Sequence, residues 1–188
     1  MLKFAAALFL RLTGWEAEGA KPVAQKFVLI AAPHTTNWDL PYTLAMASVF
    51  DVRISWMGKH TLFRGPMGWI MRALGGIPVR RNRNTNLVEQ MARAFREADS
   101  LCLTIPAEGT RGYVAHWKSG FYHIAKAANV PIQLGYLDYA RKRGGLGPTL
   151  LPTGDLRHDM DEIRDFYVDK VGKYPDHFGE IRLKEEMS

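Results

Sequence analysis

The chain is 188 residues long, enough for one domain with a substantial core. A single cysteine excludes an internal disulfide framework and fits a reducing compartment, and the 47% apolar share is that of an ordinary globular protein. A net charge of +6 and a pI near 9.5 point to anionic partners, whether nucleic acid, a phosphorylated small molecule or an anionic membrane face.

Residues 1–12 are apolar apart from Lys3 and Arg11. They are too short to span a bilayer, which takes about 20 apolar residues. The following Thr13-Gly14-Trp15-Glu16-Ala17-Glu18 is a poor signal-cleavage region. The segment reads either as an interfacial helix with Trp15 at the boundary, or as a terminal helix docked on the core. With its lead-in, residues 1–25, it precedes an α/β domain expected over 26–172. A polar, loosely held tail is expected at 173–188. No other stretch is long and apolar enough to cross a membrane, so any contact with lipid is expected from one side.

Phe27-Val28-Leu29-Ile30 reads as a short buried strand that empties into a polar turn, Pro33-His34-Thr35-Thr36-Asn37-Trp38-Asp39. On a regular helix the five-residue step from His34 to Asp39 would separate the two side chains by roughly 140°. A turn between strand and helix instead lets both point into one site. Pro41 places that helix start near Leu40, because proline suits a first turn and is costly further in. Asp39 then lies near a helix N-terminus, where a carboxylate is favoured. An imidazole can take a proton from a hydroxyl and return it, and a carboxylate on its other nitrogen fixes the tautomer and supports the imidazolium. The plainer alternative is that His34 caps a turn and Asp39 caps a helix.

A helix is expected over 41–50 and a strand over 52–57. Residues 59–74 are helix-like, with a break or kink at Gly65-Pro66. Leu62, Phe63, Met67, Trp69, Ile70 and Met71 there are either core or an apolar groove or membrane-facing ledge. A strand at 77–79 runs into Arg80-Arg81-Asn82-Arg83, a cluster that is a solvated loop or a phosphate site. An amphipathic helix over 85–98 and a strand over 101–105 follow, with Cys102 as a buried structural thiol. Pro106-Ala107-Glu108-Gly109-Thr110-Arg111 is the next turn. Gly109 allows close backbone approach, Arg111 adds a cation, and Glu108 is placed to fix Arg111 or a substrate hydroxyl. Ser119 is expected to cap a helix over 121–128, and His116 and His123 read as structural. A buried strand over 130–137, a basic turn at 141–145, a returning strand over 146–152 and an amphipathic helix over 155–171 complete the chain. The alternation of strand and helix from 26 to 137 argues for one α/β domain.

Four blocks in order over roughly residues 33 to 132 resemble the glycerolipid acyltransferase family, whose members are similar to lysophosphatidic acid acyltransferase. They are His34-x4-Asp39, Gly75-Gly76-Ile77-Pro78-Val79-Arg80-Arg81, Glu108-Gly109-Thr110-Arg111 and Val130-Pro131-Ile132. The resemblance implies a single acyltransferase-type α/β domain with a mixed, mostly parallel central sheet flanked by helices. Arg81 matches the family's phosphate-binding arginine, Lys118 a phosphate-facing lysine, and the Glu108–Arg111 block shapes the acceptor site. Arg80 stands where many members carry aspartate, Pro33 where asparagine often precedes the histidine, Ala107 where proline directly precedes the glutamate, and Gly112 where serine is frequent.

The expected reaction is acyl transfer from acyl-CoA or an acyl carrier protein to the hydroxyl of a phosphorylated lysolipid. His34 is the general base with Asp39, and Arg81, Arg111 and Lys118 hold the phosphate. No covalent acyl-enzyme, metal or cofactor beyond the thioester co-substrate is expected. A cytoplasmic enzyme of phospholipid biosynthesis, peripheral to the inner face of the membrane, fits this reading. A different acceptor hydroxyl or amine, a thioesterase using the same pair, and a non-catalytic binder of anionic lipid remain as alternatives. A nucleic-acid module is disfavoured, because the basic residues are broken up by Gly and Pro instead of lying along one helix.

Overall fold

The computed structural model describes residues 2–80 and 86–187. Strands β1 (Glu16–Glu18), β2 (Lys26–Ala32), β3 (Ile54–Lys59), β4 (Gly76–Val79), β5 (Leu101–Ile105), β6 (Ile132–Asp138) and β7 (Arg143–Leu150) form one sheet. Its spatial order is β1-β7-β6-β2-β5-β3-β4. All neighbours are parallel except β6 and β7, so the sheet is mixed and mostly parallel. The helices are α1 (Leu2–Thr13), α2 (Asp39–Val49), α3 (Gly65–Ala73), α4 (Leu87–Glu97), α5 (Gly120–Ala128) and α6 (Leu156–Tyr167).

The central strands are mostly apolar because both faces of the sheet are covered. Every residue of β6 is buried, as are Phe27, Val28, Leu29 and Ile30 in succession on β2. On one face Val28, Ile30, Leu103 and Ile132 pack with Phe95 of α4, Phe121 of α5 and Tyr167 of α6. On the other, α1 and α2 close over Leu137 through Ala6, Leu10, Trp15, Ala45 and Met46. Helix α4 begins where the Asn86 side chain accepts from the Glu89 N–H at 3.3 Å, and it buries Met91, Ala92 and Phe95. Register aligns Ile30 with both Ile105 and Leu134, so β2, β5 and β6 end at one edge, where open α/β sheets present their sites.

The expected break at Gly65-Pro66 is real. A 3₁₀ turn, His60–Phe63, ends before α3, and Pro66 lies in the first turn of that helix. Several expectations need correction. Strand β1 was not legible in its three residues, yet it pairs with β7 and brings the lead-in into the sheet. Ser119 does not cap α5 with its side chain; its hydroxyl donates to Glu185 instead. Helix α6 stops at Tyr167, and the Val171 carbonyl accepts from the Tyr139 N–H at 2.8 Å. Of the apolar set at 62–71, only Phe63 is buried, while Leu62, Met67, Trp69 and Ile70 are exposed. The basic turn is largely neutralised from within, because Arg141 pairs with Asp138 and Asp169, and Arg143 with Glu16 and Glu18.

The polar tail is not loose. Leu183 is fully buried, Trp117 and Leu183 form a parallel bridge, and the Trp117 N–H donates to the Arg182 carbonyl at 2.8 Å. Arg164 of α6 reaches the Ile181 carbonyl at 3.0 Å and the Glu186 carboxylate at 2.6 Å. One apolar anchor and these polar ties overcome the chain entropy that composition alone suggests would win. Leu183→Ala is expected to destabilise the protein by about 2–5 kcal/mol, read from urea denaturation. An unchanged midpoint would show that the tail contributes nothing to the fold.

Candidate active site

The chain leaves β2 at Ala32, and two residues later His34 stands at the carboxyl edge of the sheet. The turn then brings Asp39 back as the first residue of α2. The imidazole Nδ1 lies 3.1 Å from Asp39 Oδ2, with the histidine side chain about one-fifth exposed and the aspartate almost wholly buried. Asp39 Oδ2 also accepts the Thr35 N–H at 2.9 Å and the Thr36 N–H at 3.0 Å, while Oδ1 accepts the Tyr139 hydroxyl at 2.8 Å. Four donors and a helix N-terminus hold this buried carboxylate rigidly in place. It holds the proton on Nδ1 and leaves Nε2 as the basic nitrogen.

Glu108 follows the end of β5. It is 1% exposed, and its Oε1 accepts the His34 N–H at 2.7 Å. No bond between Glu108 and Arg111 forms among the described residues; the contact Glu108 does make is with the His34 backbone. It ties the turn after β5 to the residue that carries the imidazole. Burial pushes its carboxyl up to about 7, against the opposing effect of its backbone hydrogen bonds, and Oε2 has no hydrogen-bond partner among the described residues.

From His34 and Asp39 a narrow cleft runs under α2 across β2, β6 and β7. Its walls include Ile30, Met46, Ala47, Phe50, Val52 and Leu146. The lining extends from the start of α2 to just past its end, about 16 Å of helix. An apolar slot ending at an imidazole suits a hydrocarbon chain with its reactive carbonyl at the polar end.

Gly109, Thr110 and Arg111 lie on the exposed rim beside Glu108. Gly109 has φ +71°, and a Cβ there would meet Lys118 Cγ at 3.2 Å, so the lysine stem lies over the turn. No ion pair among the described residues holds the side chain of Arg111 or Lys118. Arg81 lies outside the described residues. The structure thus gathers His34, Asp39 and Glu108 at one point, with Lys118 next to it through Gly109.

Sequence reasoning missed Tyr139. It sits just past β6, and its ring packs edge-on against Trp15 and Tyr42, 4.9 Å and 6.0 Å between centroids. Burial and the bond to Asp39 both raise its hydroxyl pKa, so it remains a donor. Only the strand-end position after a buried run hinted at it. Cys102 is buried as expected, with its thiol pushed up to about 12 by burial.

Glu108 also makes a stability prediction. Its native pKa lies above the ordinary 4.5, so the folded state binds the proton more tightly than the unfolded chain. Its contribution to stability is therefore greatest below pH 4.5 and is lost as pH rises to about 7. Glu108→Gln cannot titrate, so the wild-type-minus-variant stability difference should fall by up to about 3 kcal/mol between pH 4.5 and 7. Parallel curves in denaturant titrations across that range would contradict it.

The acyltransferase family model matches residues 15–133, more than half of the chain, and the matched span contains His34, Asp39, Arg81, Glu108, Arg111 and Lys118. No curated protein sequence matches the chain significantly. Among solved structures, the 1-acyl-sn-glycerophosphate (LPA) acyltransferase PlsC from Thermotoga maritima is similar in fold. Its TM-score is 0.58 at 15% identity, covering 92% of this chain and 80% of that one. The fold and the family match agree, and the chain belongs to the acyltransferase family.

Proposed function

We propose that the protein moves a fatty acyl group from acyl-CoA or an acyl carrier protein to the hydroxyl of a phosphorylated lysolipid such as lysophosphatidic acid. The observation that carries this reading is the His34–Asp39 pair, its carboxylate held by three further donors and set at the mouth of an apolar cleft. His34 Nε2 takes the acceptor hydroxyl proton as its oxygen bonds to the thioester carbonyl carbon. The C–S bond then breaks, and the imidazolium returns the proton to the departing sulfur. The acceptor is itself the nucleophile, so no acyl-enzyme forms. The Thr35 and Thr36 amides are committed to Asp39, which makes the Asn37 amide the loop's donor to the oxyanion. Arg81, Arg111 and Lys118 hold the acceptor phosphate and supply positioning. The cleft under α2 takes the acyl chain of the donor.

The substrates are amphiphiles, and the surface near the site suits a one-sided seat on the inner face of the cytoplasmic membrane. Helix α1 exposes Phe4, Leu8 and Leu12 on one stripe, and α2 exposes Leu40 and Leu44. Among the described residues no helix is long and apolar enough to cross a membrane. Lys3 and Arg11 flank the α1 stripe, as expected for a helix lying in an anionic interface.

Thiol release from acyl-CoA over a panel of lysolipids tests the reading. His34→Ala is expected to abolish acceptor-dependent release, and Asp39→Asn to lower it roughly 10³- to 10⁴-fold. Full activity in His34→Ala ends the proposal, and full release without acceptor makes the protein a thioesterase. Tyr139→Phe keeps the ring packing and removes one donor from Asp39, so kcat should fall about threefold to tenfold with both KM values steady. Replacing Phe4 and Leu8 by serine should weaken sedimentation with phosphatidylglycerol-containing vesicles at least tenfold or so. Unimpaired sedimentation would remove α1 as the lipid contact.

A further inference from the structure

The segment after α6 does more than fasten the fold. It crosses the two loops that build the site. Gly172 is buried against the His34 loop; a Cβ there would lie 2.8 Å from Thr35 Cγ2 and 3.1 Å from Pro33 Cβ. The Tyr174 N–H reaches the Thr35 hydroxyl at 3.3 Å, and the Val171 carbonyl accepts from Tyr139. Further on, His177 Nδ1 donates to the Arg111 carbonyl at 3.0 Å. Lys173 is held between the first two anchors, one residue along the chain from the contact with Thr35, which is itself next to His34.

The surroundings of Lys173 set it apart from its neighbours. Lys170 pairs with Asp169, Arg164 with Asp161 and Glu186, and Arg141 with Asp138 and Asp169. No ion pair among the described residues holds the Lys173 ammonium. It instead lies 5.5 Å from the centroid of the Trp38 ring, in the very loop that joins His34 to Asp39, and 6.0 Å from that of Tyr174. An aromatic face within about 6 Å attracts a cation without consuming its three N–H donors. The platform also restricts the rotamers of a long side chain before any ligand is bound.

We propose that Lys173 is a headgroup-binding residue: its ammonium, carried over Trp38 beside the His34 loop, takes the phosphate of the acceptor. The assignment rests on the acyl-transfer reading above and adds to it a cation from a part of the chain that no motif marks. Lys173 lies on the segment after α6 and Lys118 on the loop after β5, so the two cations come from separate parts of the chain.

Calorimetric titration of sn-glycerol 3-phosphate into the full chain tests this directly, with Lys173→Gln and Lys173→Arg as the variants. Losing one charge-assisted hydrogen bond should weaken binding about tenfold or more in Lys173→Gln, while Lys173→Arg stays within about threefold of wild type. In turnover, the KM for a phosphate-bearing lysolipid should rise by the same factor and the KM for acyl-CoA should not move. Equal affinity in wild type and Lys173→Gln overturns the assignment, as does failure of the wild type to bind glycerol phosphate. A rise confined to the donor KM overturns it too. If Lys173→Gln instead loses only its binding to phosphatidylglycerol vesicles, the residue is a membrane contact and the assignment fails. Binding that depends on Lys173 with no transfer to any acceptor sinks the acyl-transfer reading and leaves the phosphate site standing. Transfer with an unchanged acceptor KM in Lys173→Gln does the reverse.

Discussion

A buried anion governs this architecture. The Asp39 carboxylate would be prohibitively costly among apolar neighbours without partners, and four donors converge on it: two backbone amides, an imidazole and a phenol. Meeting that demand fixes the turn after β2, since Thr35 and Thr36 must aim their amides inward. It fixes the entry angle of α2, whose first residue is the aspartate itself. It also fixes Tyr139 at the end of β6, and through that ring the packing of Trp15 and Tyr42. The orientation of the imidazole is a by-product of solving an electrostatic problem.

Glu108 adds a second, softer constraint. Its link to the His34 amide joins the turns after β2 and β5, which are neighbours in the sheet but 74 residues apart in sequence. Here burial opposes the charge instead of being offset by cations, and the carboxyl is left with one orphan oxygen near neutral pH. The two acids of the site therefore have opposite environments. One is saturated with donors; the other, short of them, is poised to exchange a proton.

Most of the frame was legible because its signals are local. Four consecutive apolar residues ahead of a polar turn, proline three residues into a helix, and a Gly-Pro break each report a short-range preference. The His34–Asp39 pairing was readable because turn, strand and helix limit where five residues can go. What escaped depends on partners distant in sequence. Tyr139 looks like any residue past a buried strand until Asp39 is placed opposite. Glu108 reads in the sequence as a partner for Arg111 or a substrate hydroxyl, and only the parallel register of β2 with β5 brings it to the His34 backbone. The tail has the composition of a loose end, and one leucine with a few carbonyl contacts reverses that. The exposed apolar residues of α3 show the converse, since helical periodicity cannot tell which face a neighbour covers.

The position of the C-terminal strap in the chain has a consequence for biogenesis. Residues 171–183 are synthesised after every strand and helix they fasten, yet they bridge the loops that carry His34 and Arg111. Every strand of the sheet, β7 included, is synthesised before the strap. The reaction centre cannot be stitched together until translation has passed beyond it, so a nascent chain carries a nearly finished fold without a finished catalyst.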